Sequence, residues 1–183
     1  MNTPTPDMCE RLQSMLDHFE IRAVIEAYAH AADRCDAEAM AEVYHPDSWD
    51  NHGPIRCTGP EFSIRSNELV RQQWKTVHHH LGQSQIHIEG DRAGAETYFI
   101  ASLCRDGESG RMLDQMGGRY IDEFERRDGT WRIKLRTCVS EWAASAPIVE
   151  DFLDRGNFDR GSQSRDDPSY RVLNIPGGSV GHG

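Results

Sequence analysis

Residues 76–82, Thr-Val-His-His-His-Leu-Gly, set His78, His79 and His80 side by side ahead of an alternating apolar stretch. Imidazole is the side chain whose ordinary protonation lies nearest neutral pH, so such a residue can take a proton from carbon and return one to a departing group. Successive side chains of a strand point to opposite faces, so His79 shares no face with His78 or His80. A one-residue register change would exchange which of them looks inward. The same triplet also admits a polar strand end, or a metal site in which His78 and His80 join Asp33 in a two-histidine, one-carboxylate set. Adjacent histidines are not a spacing that a metal demands, and the reading expects no metal and no cofactor.

Other chemistry-bearing residues are scattered. Arg136 falls in the last strand-like segment, where it would either hold a substrate or pair with Glu141 or Asp122. Trp49, Trp74, Trp131 and Trp142, with Phe99 and Tyr44, are candidates to line an aromatic pocket or to fill the core.

The elements that must position them fall into two halves. Ile21, Val24, Ile25, Tyr28 and Ala32 recur on one helical face. Asp36 suits the cap of a short second helix carrying Met40, Val43 and Tyr44, and the following HPDSWDNHGP reads as turn. Pro60 opens a third helix that stops before the histidines. From residue 77 the period becomes two: Ile86 and Ile88, then Ala93, Ala95, Thr97 and Phe99, joined by the turn EGDRAG. A second hairpin pairs GGRYIDEFERR with TWRIKLRTCVSEW around Asp128-Gly129, a dipeptide that favours two left-handed residues. Helices followed by hairpins predict an α+β domain over residues 1–155, its helices packed on a curved antiparallel sheet that encloses a pocket. PIVEDFLDR reads as a short helix. Residues 156–183 form a Gly-, Ser- and Asp-rich tail in which Tyr170 to Ile175 can dock, as a lid or as a clasp on a neighbouring subunit.

The 183-residue chain is 37% hydrophobic, enough for one core, and its formal charge of −10 argues against nucleic acid and anionic membrane as partners. Small molecules and further copies of the chain remain. Cys9, Cys35, Cys57, Cys104 and Cys138 show no CxxC spacing and read as reduced thiols, and no segment is apolar enough to span a bilayer. A cytoplasmic location is expected.

Tyr28-AHAA-Asp33-RC-Asp36, His80 before a strand ending in EGDRA, and GGRYIDEFERRDGTWRIKLRTCVSEW, in that order, resemble the SnoaL-like group of the nuclear-transport-factor-like superfamily over residues 10–145. That resemblance implies a cone-shaped α+β barrel. Its members include scytalone and bile-acid dehydratases, a dehydrochlorinase, ketosteroid isomerase, polyketide cyclases, formaldehyde-releasing lyases and the small subunit of ring-hydroxylating dioxygenases. In the eliminating members a Tyr and an Asp five residues apart and a strand-start His line the cone. The positions that match are Tyr28, Asp33 and His80, with His79 as the alternative; the spacing His80-Leu81-Gly82 selects His80.

On this reading His80 and Asp33 are an acid–base pair and Tyr28 gives a hydrogen bond to a substrate oxygen. A five-residue step on a helix separates Tyr28 from Asp33 by about 140°, so the two flank a site. Arg136, Tyr44, Trp49, Trp74 and Phe99 are the substrate-binding candidates. The expected activity is a cofactor-independent lyase acting on a hydrophobic, ring-bearing compound by dehydration or a related elimination, including formaldehyde-releasing C–C cleavage. An isomerase or cyclase, or a non-catalytic dioxygenase subunit, is the alternative. Members of this group are usually dimers or trimers, and a homotrimer is the expected assembly.

Overall fold

A computed structural model describes residues 7–149 and 151–173 of the chain. Helix α1 runs Met8–Asp33 and α2 Ala37–Glu42; strands β1, Tyr44–His52, and β2, Ile55–Cys57, precede α3, Gly59–Gln73. Four long strands follow: β3 Thr76–Glu89, β4 Arg92–Gly107, β5 Gly110–Arg127 and β6 Thr130–Pro147. Short helices α4, Asp151–Arg155, and α5, Ser169–Val172, end the described chain.

The strands make one sheet in the order β2-β1-β6-β5-β4-β3. Consecutive long strands pair antiparallel, whereas β1 lies parallel to β6, so the sheet is mixed rather than wholly antiparallel. The expectation that HPDSWDNHGP is a turn is corrected here. Its residues from His45 to His52 belong to β1, and only Gly53-Pro54 turns the chain into β2. Pro46 is tolerated because the β1–β6 register breaks between Tyr44 and Trp49, where no ladder donor is required of it. The turns of the other hairpins agree with the sequence: Asp128 and Gly129 both have positive φ, as does Gly90 between β3 and β4.

Side chains of β4, β5 and β6 that point to one face form the core with α1. Ile21 and Ile25 on the helix are fully buried against Phe124, Trp131 and Ile133, each worth about 1.5–3 kcal/mol of burial. Asp17 fastens the same interface, accepting from Trp131 Nε1 at 3.0 Å and from Arg126 Nη1 at 2.6 Å. Asp7 and Thr58 cap α1 and α3, accepting from Glu10 N and Glu61 N. Gly59 opens α3 against the Tyr44 ring, with which any Cβ there would collide.

The tail folds back on its own chain at the α1–α2 corner. Tyr170 is buried and donates to Asp36 Oδ2 at 2.7 Å; Arg165 reaches the same carboxylate at 2.8 Å, and Arg34 pairs with Asp167. The docking expected of Tyr170 to Ile175 is made by Tyr170 through a mainly polar anchor, and Val172 and Leu173 stay exposed. Asn174 and Ile175 lie outside the described residues.

Candidate active site

Asp33 ends α1, where the helix dipole disfavours a carboxylate, and it is nevertheless largely enclosed. Its compensation is His79. The Asp33 carboxylate accepts the His79 backbone N–H at 3.0 and 3.1 Å and the ring Nδ1 at 2.7 Å. A carboxylate on Nδ1 fixes that nitrogen as the donor, so in the neutral ring Nε2 is the acceptor. The side chains of His79 and Asp33 are 13% and 11% exposed, sheltered yet reachable.

The expected Asp33–His80 pair is therefore replaced by Asp33–His79. His79 faces Ala101 across the sheet and carries the inward register of Val77 and Leu81, whereas His78 and His80 are exposed. His80 instead lines a depression of about 240 Å³ on the outer face with Tyr98, Ile100 and Trp142. The same alternation removes the set of His78, His80 and Asp33. Among the described residues no three His, Cys, Asp or Glu side chains converge as metal ligands.

Deeper in the cone, Arg136 on β6 grips Asp122 on β5 through two bonds of 2.7 Å, both side chains wholly buried. Its guanidinium carbon lies 4.0 Å from the Tyr28 ring centre and 4.2 Å from that of Tyr120. Burial opposes its charge, but Asp122 overcomes this and holds Arg136 firmly protonated. Two polar atoms here lack protein partners: Arg136 Nη1 and the Tyr120 hydroxyl. Buried donors left unpaired cost about 1–3 kcal/mol each, so these two weigh on the stability of the fold. Burial also pushes the Tyr28 and Tyr120 phenols well above their ordinary range, keeping both as neutral donors.

At the β1 end, Asp50 is fully buried, accepting from Tyr44 Oη at 2.6 Å and bonded to His52 Nδ1 at 3.1 Å. His52 stacks on Phe62 with ring centres 4.6 Å apart, and 24% of its side chain is exposed. Phe99 stacks on Tyr120 at 4.3 Å and lies 6.3 Å from His79, so one arc of rings joins the two histidines.

Of the sequence candidates, Tyr28, Asp33, Tyr44, His79, Phe99 and Arg136 come together. Trp49 does not; it is 47% exposed on the opposite face of β1. Trp74 ends α3 and donates to Asp114 at 3.1 Å, away from the cone. Asp50, His52, Tyr120 and Asp122 were not singled out for the site. Their signal was present as period two: Tyr120 pairs with Cys138, Asp122 with Arg136, and Asp50 with Arg136, which places all of them in one inward row.

Residues 13–137 match the family model of the SnoaL-like domain, and the chain belongs to that family. Among solved structures it is similar to a putative scytalone dehydratase from Novosphingobium aromaticivorans DSM 12444. Identity there is 17%, with 74% of this chain and 91% of that one covered and a TM-score of 0.64. A hexachlorocyclohexane dehydrochlorinase, LinA type 2, aligns at 15% identity over 76% of this chain and 95% of that one, with a TM-score of 0.69. The beta subunit of a putative aromatic-ring-hydroxylating dioxygenase from Novosphingobium aromaticivorans DSM 12444 aligns at 20% identity over 70% and 92%, with a TM-score of 0.58. At these identities the likeness is one of fold. No curated protein matches significantly in sequence. No described helix is long and apolar enough to cross a membrane.

Proposed function

We propose that the chain is a lyase that removes a proton next to a carbonyl-type oxygen and expels a leaving group from the neighbouring carbon of a ring-bearing, hydrophobic compound. The observation that carries this reading is the His79–Asp33 pair on the inward face of the sheet, joined through the Phe99 ring to Tyr120, whose hydroxyl, like Arg136 Nη1, has no protein partner. Nε2 of His79 takes the proton, and Asp33 stabilises the imidazolium that forms. The electron pair moves onto the carbonyl oxygen, where Arg136 and Tyr120 stabilise the growing charge without having to reorganise. Tyr28, edge-on to Tyr120 with ring centres 5.5 Å apart, supplies a further neutral donor, and Phe99 a flat apolar wall. The dehydratase and dehydrochlorinase among the similar structures support elimination as the class. Isomerisation would use the same base and oxygen site on a substrate without a leaving group.

The test uses the aldol adduct of acetone and benzaldehyde, a ring-bearing β-hydroxy ketone whose dehydration to benzalacetone is followed by absorbance. Dehydration by the wild-type chain, lowered roughly 10²-fold or more in His79→Gln, is the expected result. Equal rates for wild type, His79→Gln and buffer would defeat the reading.

A further inference from the structure

The His79–Asp33 pair accounts for proton removal, but it leaves unused a second histidine–carboxylate couple at the other end of the ring arc. We infer that His52, held by Asp50, is a second catalytic group of this site, the one that gives a proton to the departing oxygen. The inference rests on the lyase reading and divides the work of that reaction between two histidines.

Three features carry it. Asp50 lies fully buried beside Arg136 in the parallel β1–β6 pairing, and it is itself braced by the Tyr44 hydroxyl, so the carboxylate cannot swing away from His52. His52 bonds Asp50 through Nδ1, and the Cys138 thiol lies against the same ring as a second polar neighbour. The ring itself sits 6.1 Å from that of Tyr120, whose hydroxyl has no protein partner, and the Phe62 stack fixes its plane.

The charge state agrees with the role. Burial works against protonation of His52, but its hydrogen bonds to Asp50 and Cys138 and their charges outweigh it and raise the imidazole to about 9. The other charged groups nearby are Asp122 and Arg136, a mutually neutralising pair. His52 is thus an acid carrying its proton at neutral pH.

The step balances. Nε2 of His79 accepts the proton from carbon, and the electron pair of that C–H bond forms the enolate whose oxygen Arg136 and Tyr120 hold; collapse of the enolate makes the new C=C bond as the C–O bond breaks, and that oxygen leaves as water with the proton of His52. After product departs, His79 loses a proton to solvent and His52 regains one.

Benzylacetone, which has the ring and the carbonyl but no leaving group, separates the two halves. In deuterium oxide its exchange next to the carbonyl reports the His79 half alone, and the aldol adduct reports both. His52→Gln should slow dehydration by roughly 10²-fold or more while slowing exchange far less. His79→Gln should lose both. Imidazole NMR of the unliganded wild type should show His52 protonated up to about pH 9, and Asp50→Asn should bring that titration down. Dehydration by His52→Gln at the wild-type rate, or a His52 ring that is neutral at pH 7.5, overturns the inference while leaving the lyase reading intact. Absence of both reactions in the wild type removes the lyase reading and the role of His52 with it. Asp50→Asn asks the same kinetic question with a side chain of equal size, should His52→Gln melt early.

Discussion

Substituting Asp36 by Ala tests whether the C-terminal segment is a strap within its own chain. The Asp36 carboxylate caps α2 through Ala39 N at 3.1 Å, accepts the Tyr170 hydroxyl at 2.7 Å, and pairs with Arg165 at 2.8 Å. Loss of the cap costs about 1 kcal/mol. The Tyr170 hydroxyl, buried and left without a partner, adds about 1–3 kcal/mol. The Arg165 pair, exposed by more than a third on the arginine side, adds at most about 1 kcal/mol. The total is about 3 kcal/mol, which for a chain of this length lowers Tm by about 6–12 °C. Tyr170→Phe removes one hydrogen bond and should cost about 1 kcal/mol. In the double variant the two losses should add to less than their sum, because the Tyr170 bond is counted in both. Burial raises the Asp36 pKa, but Arg165, Tyr170 and Ala39 N–H outweigh it and hold the carboxyl below its ordinary 3.8. The folded form therefore gains stability that is present above that value and lost as the pH falls through the lower folded one. Differential scanning calorimetry at pH 7 and again in acid checks both claims. A Tm change below about 1 °C in Asp36→Ala, or strict additivity with Tyr170→Phe, would refute the strap.

Three further outcomes follow from the geometry. His80→Gln should keep dehydration of the aldol adduct within about twofold of wild type, in contrast to His79→Gln, since His80 looks outward. Asp122→Asn should destabilise the fold by about 3–5 kcal/mol, seen in urea melts, because Arg136 would keep its charge in a dry interior without a counter-ion; replacing both by Met and Leu should recover most of that stability yet abolish oxygen binding. For assembly we propose a homotrimer formed through the outer sheet face, where Tyr98, Ile100, Ile121 and Trp142 are exposed. Sedimentation at micromolar concentration should then give three times the 20.8 kDa chain mass, and Trp142→Glu should release monomer.

The parts of this molecule legible in the sequence are those decided by local rules. The face of α1, the cap at Asp36, Pro60 at the start of α3 and the Asp128-Gly129 turn depend on neighbours a few residues away, and the structure agrees with each. Strand β1 depends on distant ones. Pro46, Asp47, Asn51 and Gly53 read as turn residues because turn propensity is local, whereas β1 is a strand because β6 offers it a parallel edge more than eighty residues away. The outer strand ends were missed for the same reason: residues 110–116 pair with β4 and β6 although their own pattern is not apolar.

The pairing of Asp33 with His79 rather than His80 turns on a single register step. Between residues 76 and 82 the sequence does distinguish the two faces: Thr76, His78 and His80 alternate with Val77, His79 and Leu81, and only the latter set has aliphatic side chains on both flanks of its histidine. Inward pressure from Val77 and Leu81 fixes the phase, and each of the two is worth more than the difference in solvation between one imidazole and the next. Asp33 then completes the choice by taking both the backbone N–H and the ring of His79, a pairing that needs the end of α1 to lie over that position of β3. The same logic places His52. Its burial partner Phe62 comes from α3 and its carboxylate from two residues earlier on β1, so its chemistry exists only once β1 is a strand. A segment that reads as turn hides a second histidine–carboxylate pair because alternation within a strand is what brings Asp50 and His52 to one face.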